Sequence, residues 1–485
     1  MIPVAEAKIS VLRKVTVNPG AVACLRLGCE PEGWIIVIAL YGEFGFRSSI
    51  EFLKLCFEMV KLNSIRAVSF LWFGSFMGAG LAFLTQIMLA RTLGSQGYGA
   101  FSSALAAVLI IAPLAGFGVP ALWLKVFGSY GWGGVSWVQP SLFFVRVSTV
   151  FSLGAVCLWA LLGAHERDTA LLLFILSSSI LGQVSMELVS AKLQLEERYV
   201  ELALFQATPH ILRFSFVALL YFLALNSKLL AAAAYAVVSF GLLGVCLVSL
   251  RRLVGGNILL KGHGDINLAI HRQEAVTWLD VARNSWPFGL AALAHLIYYQ
   301  IDLVMIKYIS GDKVAGYYGV AFTIMTAVYI FPSVLYQKFL MPKIHRWAEH
   351  DRSKFREVYH RGNYAMLGFG LMAMVSVWVL SDIVILTLFG EEYTGAAAVL
   401  KVLSISSPII SVALSAGATL VTKSHIRVKV FYMCFVAVIN VAMNMYAIPN
   451  WGAMGAAVTT VLSNALLLVL YLYGAEKRVF CKEFQ

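Results

Sequence analysis

The chain has 485 residues, of which 60% are hydrophobic and only 13% are charged, and its mean hydropathy is +0.81. These values exclude an ordinary soluble protein and indicate a polytopic membrane protein. The net charge of +12 therefore does not indicate a nucleic-acid partner. Lys and Arg accumulate in the cytoplasmic loops of membrane proteins, so their positions indicate how the chain is oriented in the membrane.

Residues 1–60 precede the first long apolar segment and have a mixed, charged composition. The apolar run at 34–40 is too short to cross a bilayer. No small-residue cleavage site follows an apolar core, which argues against a signal peptide. We interpret residues 1–60 as an N-terminal extension without a transport function, and Met59 as the candidate start of the native product.

From residue 65 onward, twelve apolar segments have about the 20 residues that a membrane helix needs. Segments of this length predict helices, because backbone groups in lipid must bond within the segment. The predicted spans are 65–90, 98–122, 141–163, 169–191, 202–225, 229–250, 286–309, 316–338, 363–389, 395–420, 428–448 and 452–473. The predicted fold is an all-α membrane protein with two six-helix lobes at 61–250 and 284–475, a cytoplasmic loop at 251–283 and a tail at 476–485.

One motif occurs twice. Residues 91–101 return in altered form at 307–322, and each copy joins two apolar segments. In both copies a proline follows the motif's tyrosine by 15 residues. Duplicated halves with interrupted helices are typical of secondary transporters, in which one half moves against the other around a central site. The candidate helix breaks or gating points are Pro113, Pro209 and Pro332.

Orientation follows from the distribution of Lys and Arg. With the residues before the first span in the cytoplasm, few cations fall outside; they are Arg91, Arg167, Lys228, Lys307 and Lys313. This bias predicts that both termini are cytoplasmic. Because each half has an even number of spans, the halves share one orientation and a pseudo-twofold axis along the membrane normal.

Intramembrane cations are candidates for binding cargo, because a charge at bilayer depth is costly unless it faces protein or water. Arg213 lies deep in its span with His210 one turn earlier, and a guanidinium fork suits a pyrophosphate. The alternative is a structural arginine neutralised by carbonyls or by Glu187. Arg146 and Lys401 lie nearer the membrane faces, so lining a cationic site and anchoring a helix both remain open.

A second candidate site concerns ion coupling. His295, Tyr299 and Asp302 share one helical stripe, which is compatible with a relay for protons or sodium ions. Asp302 is the candidate coupling residue, because a carboxylate in a partly dry site can take up and release protons. Alternatively, it is hydrated near the outer end of its span or pairs with Lys307. Three further polar residues favour hydrogen bonds between helices: Asn440, Asn444 and Asn464.

Other chemistry receives no support. The seven cysteines are scattered and predict neither a disulfide framework nor a zinc site, and no cofactor is expected. No phosphate-binding loop of the Gly-x-x-x-x-Gly-Lys-Ser/Thr type is present in the sequence, so ATP hydrolysis is not expected. The loop 251–283 has no recognisable pair of carboxylates. We therefore predict no catalytic residue and interpret the chain as a transporter rather than an enzyme.

Residues 89–101, followed by Gly116-Phe-Gly118, resemble the first hairpin of bacterial polysaccharide-biosynthesis flippases of the O-antigen type. These flippases belong to the multidrug/oligosaccharidyl-lipid/polysaccharide exporter superfamily. Residues 302–319 resemble the hairpin of the second half, and residues 388–393 and 440–457 resemble the C-terminal pattern. The resemblance covers about residues 61–475.

The resemblance implies a flippase in the bacterial inner membrane. Its cargo would be an undecaprenyl-pyrophosphate-linked oligosaccharide, a repeat unit of O-antigen, capsule or exopolysaccharide, moved from the cytoplasmic to the periplasmic leaflet by alternating access. A proton or sodium ion would drive it, and a polysaccharide polymerase and a chain-length regulator are possible partners besides membrane lipid. The alternatives are a multidrug/cation antiporter, which should contain deep acidic residues, and a membrane-embedded polymerase. Arg213 favours the anionic cargo.

Overall fold

The computed structural model describes residues 47–163, 165–255, 260, 276–340, 344, 347–348, 351–421 and 426–480, with side chains from residue 74 onward except 337–339 and 426. These residues form helices and short connections, and no strand occurs among them. The prediction of an all-α fold is confirmed. Of the predicted extension, residues 1–46 lie outside the described part, whereas residues 47–60 belong to the first helix.

The α-helices, in chain order, are α1 (Arg47–Ile111), α2 (Pro113–Gly116), α3 (Val119–Tyr130), α4 (Val138–Leu162), α5 (Arg167–Leu176), α6 (Ser178–Leu195), α7 (Tyr199–Phe222), α8 (Lys228–Val254), α9 (Trp278–Ser310), α10 (Asp312–Val334), α11 (Arg352–Leu388), α12 (Ala396–Ser404), α13 (Ser406–Thr419) and α14 (Ile426–Gly474). Two 3₁₀ turns, Gly131–Trp137 and Glu391–Tyr393, and two π-helical turns, Leu335–Leu340 and Ala475–Phe480, complete the described part.

Several helices continue through predicted connections. In the described part, eight helical stretches are long and apolar enough to cross a membrane, or nine if α12 and α13, which meet at a 40° bend, form one span. The stretch Gly74–Leu162 has 89 residues, several times the roughly 20 that one crossing of the hydrocarbon core needs, so it crosses more than once. The count of twelve spans and the pseudo-twofold axis stay predictions.

Two glycines with positive φ mark the points at which the two longest helices turn. α1 turns at Gly94, with φ of +66°, and α14 turns at Gly452, with φ of +56°. A residue without a Cβ adopts such angles at little cost. Each long helix therefore has two arms. The arms of α14 lie side by side, and Asn440 on the first arm donates a hydrogen bond to Ser463 on the second.

The chain departs from a continuous helix near Pro113, and a gating role for this proline stays a prediction. α1 ends at Ile111, α2 starts at Pro113, and Phe117 and Gly118 have φ of +32° and +81° before α3 begins. The carbonyl oxygen of Ala115 accepts a hydrogen bond of 3.3 Å from the Thr149 hydroxyl of α4. A backbone group freed by the break is thus satisfied by a neighbouring helix.

The other two prolines lie inside helices. α7 continues through Pro209, and α10 continues through Pro332 to Val334 before it widens into a π-helical turn. Proline is tolerated in membrane helices where hydroxyls and local π-type adjustments accommodate the lost bond. At both sites an adjacent hydroxyl bonds to a carbonyl of the preceding turn. A gating role for Pro209 and Pro332 stays a prediction.

The two halves of the chain contact each other near both ends of the predicted span 98–122. At one end, α1 packs against the start of α10, where Gly99 faces Gly316. At the other end, a Cβ on Gly118 would lie 2.5 Å from the Gly289 nitrogen and 2.6 Å from the Ser285 oxygen of α9. Glycine at these positions lets the two backbones approach closely.

Candidate functional site

A buried polar cluster surrounds Asp302 on α9. Its side chain is only 3% exposed, and its carboxylate accepts hydrogen bonds of 2.8 Å from the Tyr318 hydroxyl and 2.6 Å from the Thr460 hydroxyl. The amide of Asn444 donates a further bond to it. The donors come from α10 and from both arms of α14, so the bend at Gly452 assembles the cluster.

A second layer of polar groups extends from Asn444. Its amide donates to Asn440 Oδ1 at 3.2 Å, and its oxygen accepts a bond from the Thr459 hydroxyl. Asn440 in turn donates to Ser463 Oγ at 3.2 Å. A carboxylate in contact with two hydroxyl oxygens, those of Tyr318 and Thr460, offers oxygen ligands of the kind that a hard cation such as sodium prefers, and it can also carry a proton. The predicted hydrogen bonds of the asparagines are present.

Asp302 does not pair with Lys307. The Lys307 ammonium instead forms an ion pair with Asp312 and donates to Thr169 Oγ1 at 3.2 Å. Its carboxylate is also not open to the solvent at the end of the span, because Asp302 is buried. The helical position alone could not separate these alternatives.

The predicted stripe on α9 divides into two parts. His295 stacks on Tyr299 with ring centroids 5.8 Å apart, and the Tyr299 hydroxyl lies 3.2 Å from the Thr326 hydroxyl. The hydrogen bonds of Asp302 go to α10 and α14 instead. His295 is exposed whereas Asp302 is buried. A relay through all three residues therefore stays a prediction.

Arg213 lies on α7 inside the first half. Its guanidinium carbon is 4.5 Å from the centroid of the Tyr235 ring on α8, which is a cation–π contact. Its Nε is buried and has no hydrogen-bond partner. Among the described residues, no carboxylate forms an ion pair with Arg213. The guanidinium therefore retains donors for an anion.

Glu187 and His210 are the two residues predicted to lie beside Arg213. The Glu187 carboxylate accepts a bond of 2.7 Å from the Gln183 amide of its own helix rather than from Arg213. One turn before Arg213, His210 packs against α1, where a Cβ on Gly78 would lie 3.1 Å from the imidazole. Arg213 and His210 thus lie one turn apart on α7, against α8 and α1 respectively, and neutralisation by Glu187 is not observed.

The other two predicted cations lie elsewhere. Arg146 is exposed and lines a groove between α4, α6 and α8. Lys401 forms an ion pair of 2.7 Å with Asp382 of α11, and both side chains are partly exposed. Neither cation contacts Arg213 in the part of the chain described, and their role in binding cargo stays a prediction.

Lys429 is a half-buried cation near the start of α14 that was not among the candidate residues. Its ammonium lies 5.8 Å from the centroid of the Tyr471 ring, and a Cβ on Gly417 would lie 3.6 Å from its Cε. Thr459 and Thr460 were also missed. Their spacing from the asparagines of α14 was visible in the sequence, but only the bend at Gly452 brings them to Asp302.

A set of contacts, here called the outer latch, joins the halves at the face predicted to be extracytoplasmic. The Arg91 guanidinium donates to the Leu388 carbonyl at 2.7 Å and to that of Thr387. The Tyr393 hydroxyl donates to the Ala90 carbonyl at 2.9 Å. The remaining contact is that of Ser95 with Glu392. All four contacts join residues 90–95, around the start of the first copy of the repeated motif, to residues 387–393 in the second half of the chain.

Ser95 holds the Glu392 carboxylate by two bonds, 2.8 Å from its backbone nitrogen and 2.6 Å from its hydroxyl. These bonds lower the pKa of Glu392 below its ordinary value, the hydroxyl contributing more than the backbone N–H. Beside the latch, the Tyr393 ring packs edge-on against Tyr98 at 6.3 Å and Tyr317 at 6.5 Å. These two tyrosines are the equivalent residues of the repeated motif.

Comparison with known proteins assigns this chain to a family. Residues 64–347 match the polysaccharide biosynthesis protein family. A curated relative, an uncharacterized membrane protein of Methanocaldococcus jannaschii, is 20% identical over 196 residues, which are 40% of this chain and 46% of that protein. The chain therefore aligns with less than half the length of this relative.

Solved structures share the fold. The lipid II flippase MurJ, in an inward closed conformation, has a TM-score of 0.62 at 14% identity over 84% of this chain and 87% of its own. An inward-facing multidrug resistance MATE transporter of the MOP superfamily has a TM-score of 0.63 at 14% identity over 83% and 94%. At such identity the likeness concerns the fold alone. The family match covers more than half of the chain and establishes that the protein belongs to the polysaccharide biosynthesis protein family.

Proposed function

We propose that this protein is a flippase for an undecaprenyl-pyrophosphate-linked oligosaccharide, a repeat unit of O-antigen, capsule or exopolysaccharide. It moves this cargo from the cytoplasmic to the periplasmic leaflet of the inner membrane. Family membership supports a role in polysaccharide synthesis, and the flippase among the fold neighbours supports a lipid-linked cargo. The observation that carries the proposal is the half-buried Arg213, whose Nε is buried without a hydrogen-bond partner and which has no carboxylate partner among the described residues.

Arg213 and His210 form the proposed binding site for the pyrophosphate. A guanidinium that is partly withdrawn from water without a counter-ion is costly, and a diphosphate supplies both negative charge and acceptors for its fork of donors. The Tyr235 ring of α8 packs against the guanidinium through the cation–π contact. The Nε of Arg213 has no hydrogen-bond partner, and this free donor supports binding of an anion rather than of a cation.

Ion coupling is assigned to the cluster around Asp302, which takes up either a sodium ion or a proton. Its carboxylate is buried, and in the described part of the chain it accepts hydrogen bonds from neutral donors such as Tyr318, Asn444 and Thr460. A bound cation or proton would remove the cost of that isolated charge. Because the cluster joins α9, α10 and both arms of α14, ion binding would change how tightly these helices pack.

Alternating access would use the two contact regions between the halves. Opening toward the periplasm requires the outer latch and the Gly99–Gly316 contact to separate, whereas opening toward the cytoplasm requires the Gly118–Gly289 contact to separate. Cargo binding at Arg213 and ion binding at Asp302 lie on different halves, so each can favour a different arrangement.

The experiment is translocation by the full chain in liposomes. A fluorescent polyprenyl-pyrophosphate oligosaccharide is added, and a membrane-impermeant reductant quenches the label in the outer leaflet. The protein should expose label from the inner leaflet, and Arg213→Ala should reduce the rate to that of protein-free liposomes. Arg252→Ala, at an exposed arginine, should retain it. An unchanged rate with Arg213→Ala would refute the assigned site. In cells, Arg213→Ala should abolish surface polysaccharide while membrane insertion stays intact.

Gradients of sodium and of pH, imposed separately, identify the coupling ion. One of them should accelerate translocation, and Asp302→Asn should remove that acceleration. Asp382→Asn, the same change at an exposed carboxylate, should not. If Asp302→Asn left the response to the gradient intact, the coupling role would fail while the flippase proposal stood.

A multidrug/cation exporter is the second candidate, because Asp302 supplies the deep carboxylate that such an exporter needs and MATE transporters share the fold. The same liposomes test it with a cationic dye. Dye uptake driven by an ion gradient, without translocation of the oligosaccharide, would favour the exporter. Translocation without dye uptake would favour the flippase.

A further inference from the structure

A groove on the first half combines a long apolar wall with two arginines. It has a volume of about 600 Å³ and lies between α4, α6 and α8. Arg146 and Arg251 line it, and the other lining residues are almost all apolar. The walls include Val150, which is 69% exposed, and Leu247, which is 52% exposed. In a membrane protein, apolar side chains exposed to this degree face the lipid.

The two arginines lie at the same end of the groove. The Lys228 ammonium at the start of α8 is 2.9 Å from the Asp168 carboxylate at the start of α5, and α5 follows α4 after a short connection. The start of α8 therefore lies beside the end of α4, and the two helices run antiparallel. Arg146 lies toward the start of α4 and Arg251 in the last turn of α8. This end is the predicted cytoplasmic end.

The length of the groove matches one leaflet. On α4 the lining runs from Leu142 to Leu153, and on α8 from Leu243 to Val254. Each stretch rises about 16 Å along its helix, close to half of a hydrocarbon core of about 30 Å. A molecule complementary to this groove would place a negative group beside the two arginines, toward the membrane surface, and an apolar part along the rest of the groove toward the bilayer centre.

Neither arginine has an anionic partner among the described residues. The nearby Lys192 is already engaged, since it pairs with Glu196 at 3.6 Å and donates to Ser249 at 3.3 Å. Two unpaired guanidiniums at the head of an apolar channel are complementary to a phosphate that carries acyl chains.

We propose that this groove binds one anionic phospholipid of the cytoplasmic leaflet, with Arg146 and Arg251 on its phosphate and an acyl chain along α4 and α8. The site does not depend on the identity of the transported cargo. It is separate from Arg213, which lies on α7 against the Tyr235 ring.

Lipid binding is measured on the full chain in detergent, by native mass spectrometry and by thermal unfolding with added lipid. Phosphatidylglycerol should bind and raise the unfolding temperature, whereas phosphatidylcholine should do so weakly. Each arginine near a membrane surface contributes about fivefold in affinity, so Arg146→Gln with Arg251→Gln should weaken phosphatidylglycerol binding by about twenty-fivefold. Arg252→Gln, on the same turn but outside the groove lining, is the matched control.

Three results would overturn the proposal. Equal binding of phosphatidylcholine would leave only an apolar groove, and equal binding of glycerol phosphate would leave only a phosphate site. Unchanged phosphatidylglycerol binding in the double variant would remove the arginines from the site. If that variant does not fold, Leu153→Trp tests the same groove from its apolar end. It should weaken lipid binding with both arginines in place, and unchanged binding there would refute the proposal.

Discussion

Gly99 and Gly316, one from each copy of the repeated motif, pack backbone against backbone. A Cβ on Gly99 would overlap the Asp312 carbonyl and approach the Gly316 nitrogen to 2.7 Å, and a Cβ on Gly316 would overlap the Ser95 carbonyl. The repeat is therefore more than a trace of duplication. Its two copies are the surfaces through which α1 and α10 meet.

Gly99→Ala should destabilise the protein, because the added methyl group must push α1 and α10 apart. Overpacking of this kind costs about 1–3 kcal/mol. The expected result is a lower midpoint of thermal unfolding in detergent. Gly80→Ala is the control, since a Cβ there meets nothing within 4 Å. Equal midpoints for the two variants would contradict the role of the close contact.

Arg213→Lys should only partly restore translocation and surface polysaccharide. A lysine keeps the charge but loses the planar fork that binds a pyrophosphate with paired hydrogen bonds, and we expect a rate about tenfold below that of the native protein, which corresponds to about 1.4 kcal/mol. Tyr235→Phe should retain the rate because the ring is kept, whereas Tyr235→Leu should lower it. A native rate for Tyr235→Leu would show that the ring does not position the guanidinium.

Asp302→Asn should abolish stabilisation by the coupling ion. Three donors face the carboxylate, so an amide at this position leaves at least one donor or acceptor mismatched, at a cost of about 1–3 kcal/mol. Unfolding temperatures in sodium and potassium chloride, and across pH, provide the measurement. The native protein should respond to one ion, Asp382→Asn should respond equally, and Asp302→Asn should not. An ion response that survives in Asp302→Asn would place the ion elsewhere.

The outer latch should depend on pH through Glu392. Its pKa is lowered in the folded protein by the Ser95 hydroxyl and N–H. The carboxylate therefore stabilises the latch above the ordinary glutamate value of 4.5, and this contribution is lost as the pH falls through the lowered pKa. The native protein should be more stable than Glu392→Gln at pH 7, and the difference should vanish in acid.

Glu391→Gln, at the adjacent exposed glutamate, is the control for this experiment and should follow the native protein at every pH. The measurement is the unfolding temperature of the three proteins across pH 3 to 8. A difference between the native protein and Glu392→Gln that persisted unchanged into acid would exclude the carboxylate as its cause.

The sequence by itself determined the helical class, the positions of the apolar segments, the repeated motif and the family resemblance. These follow from local properties: the hydropathy and length of a segment decide that it forms a helix in lipid, and the spacing within a motif survives in the chain whatever the packing. The break at Pro113 was also local, because a proline ring and two following residues with positive φ act on their own helix. At Pro209 and Pro332 the helix continues, because neighbouring helices and hydroxyl groups accommodate the lost backbone hydrogen bond.

Only the tertiary structure decided the partners of the candidate residues. The periodicity of α9 put His295 and Asp302 on one stripe but could not say which helices face it. That depends on the bend of α14 at Gly452, which brings Asn444 and Thr460 to Asp302. Likewise, the Tyr235 ring rather than Glu187 meets Arg213, because the rotation of α8 against α7 is set by packing over their whole length. Contacts between residues far apart in the chain depend on such rotations, which a local pattern does not encode.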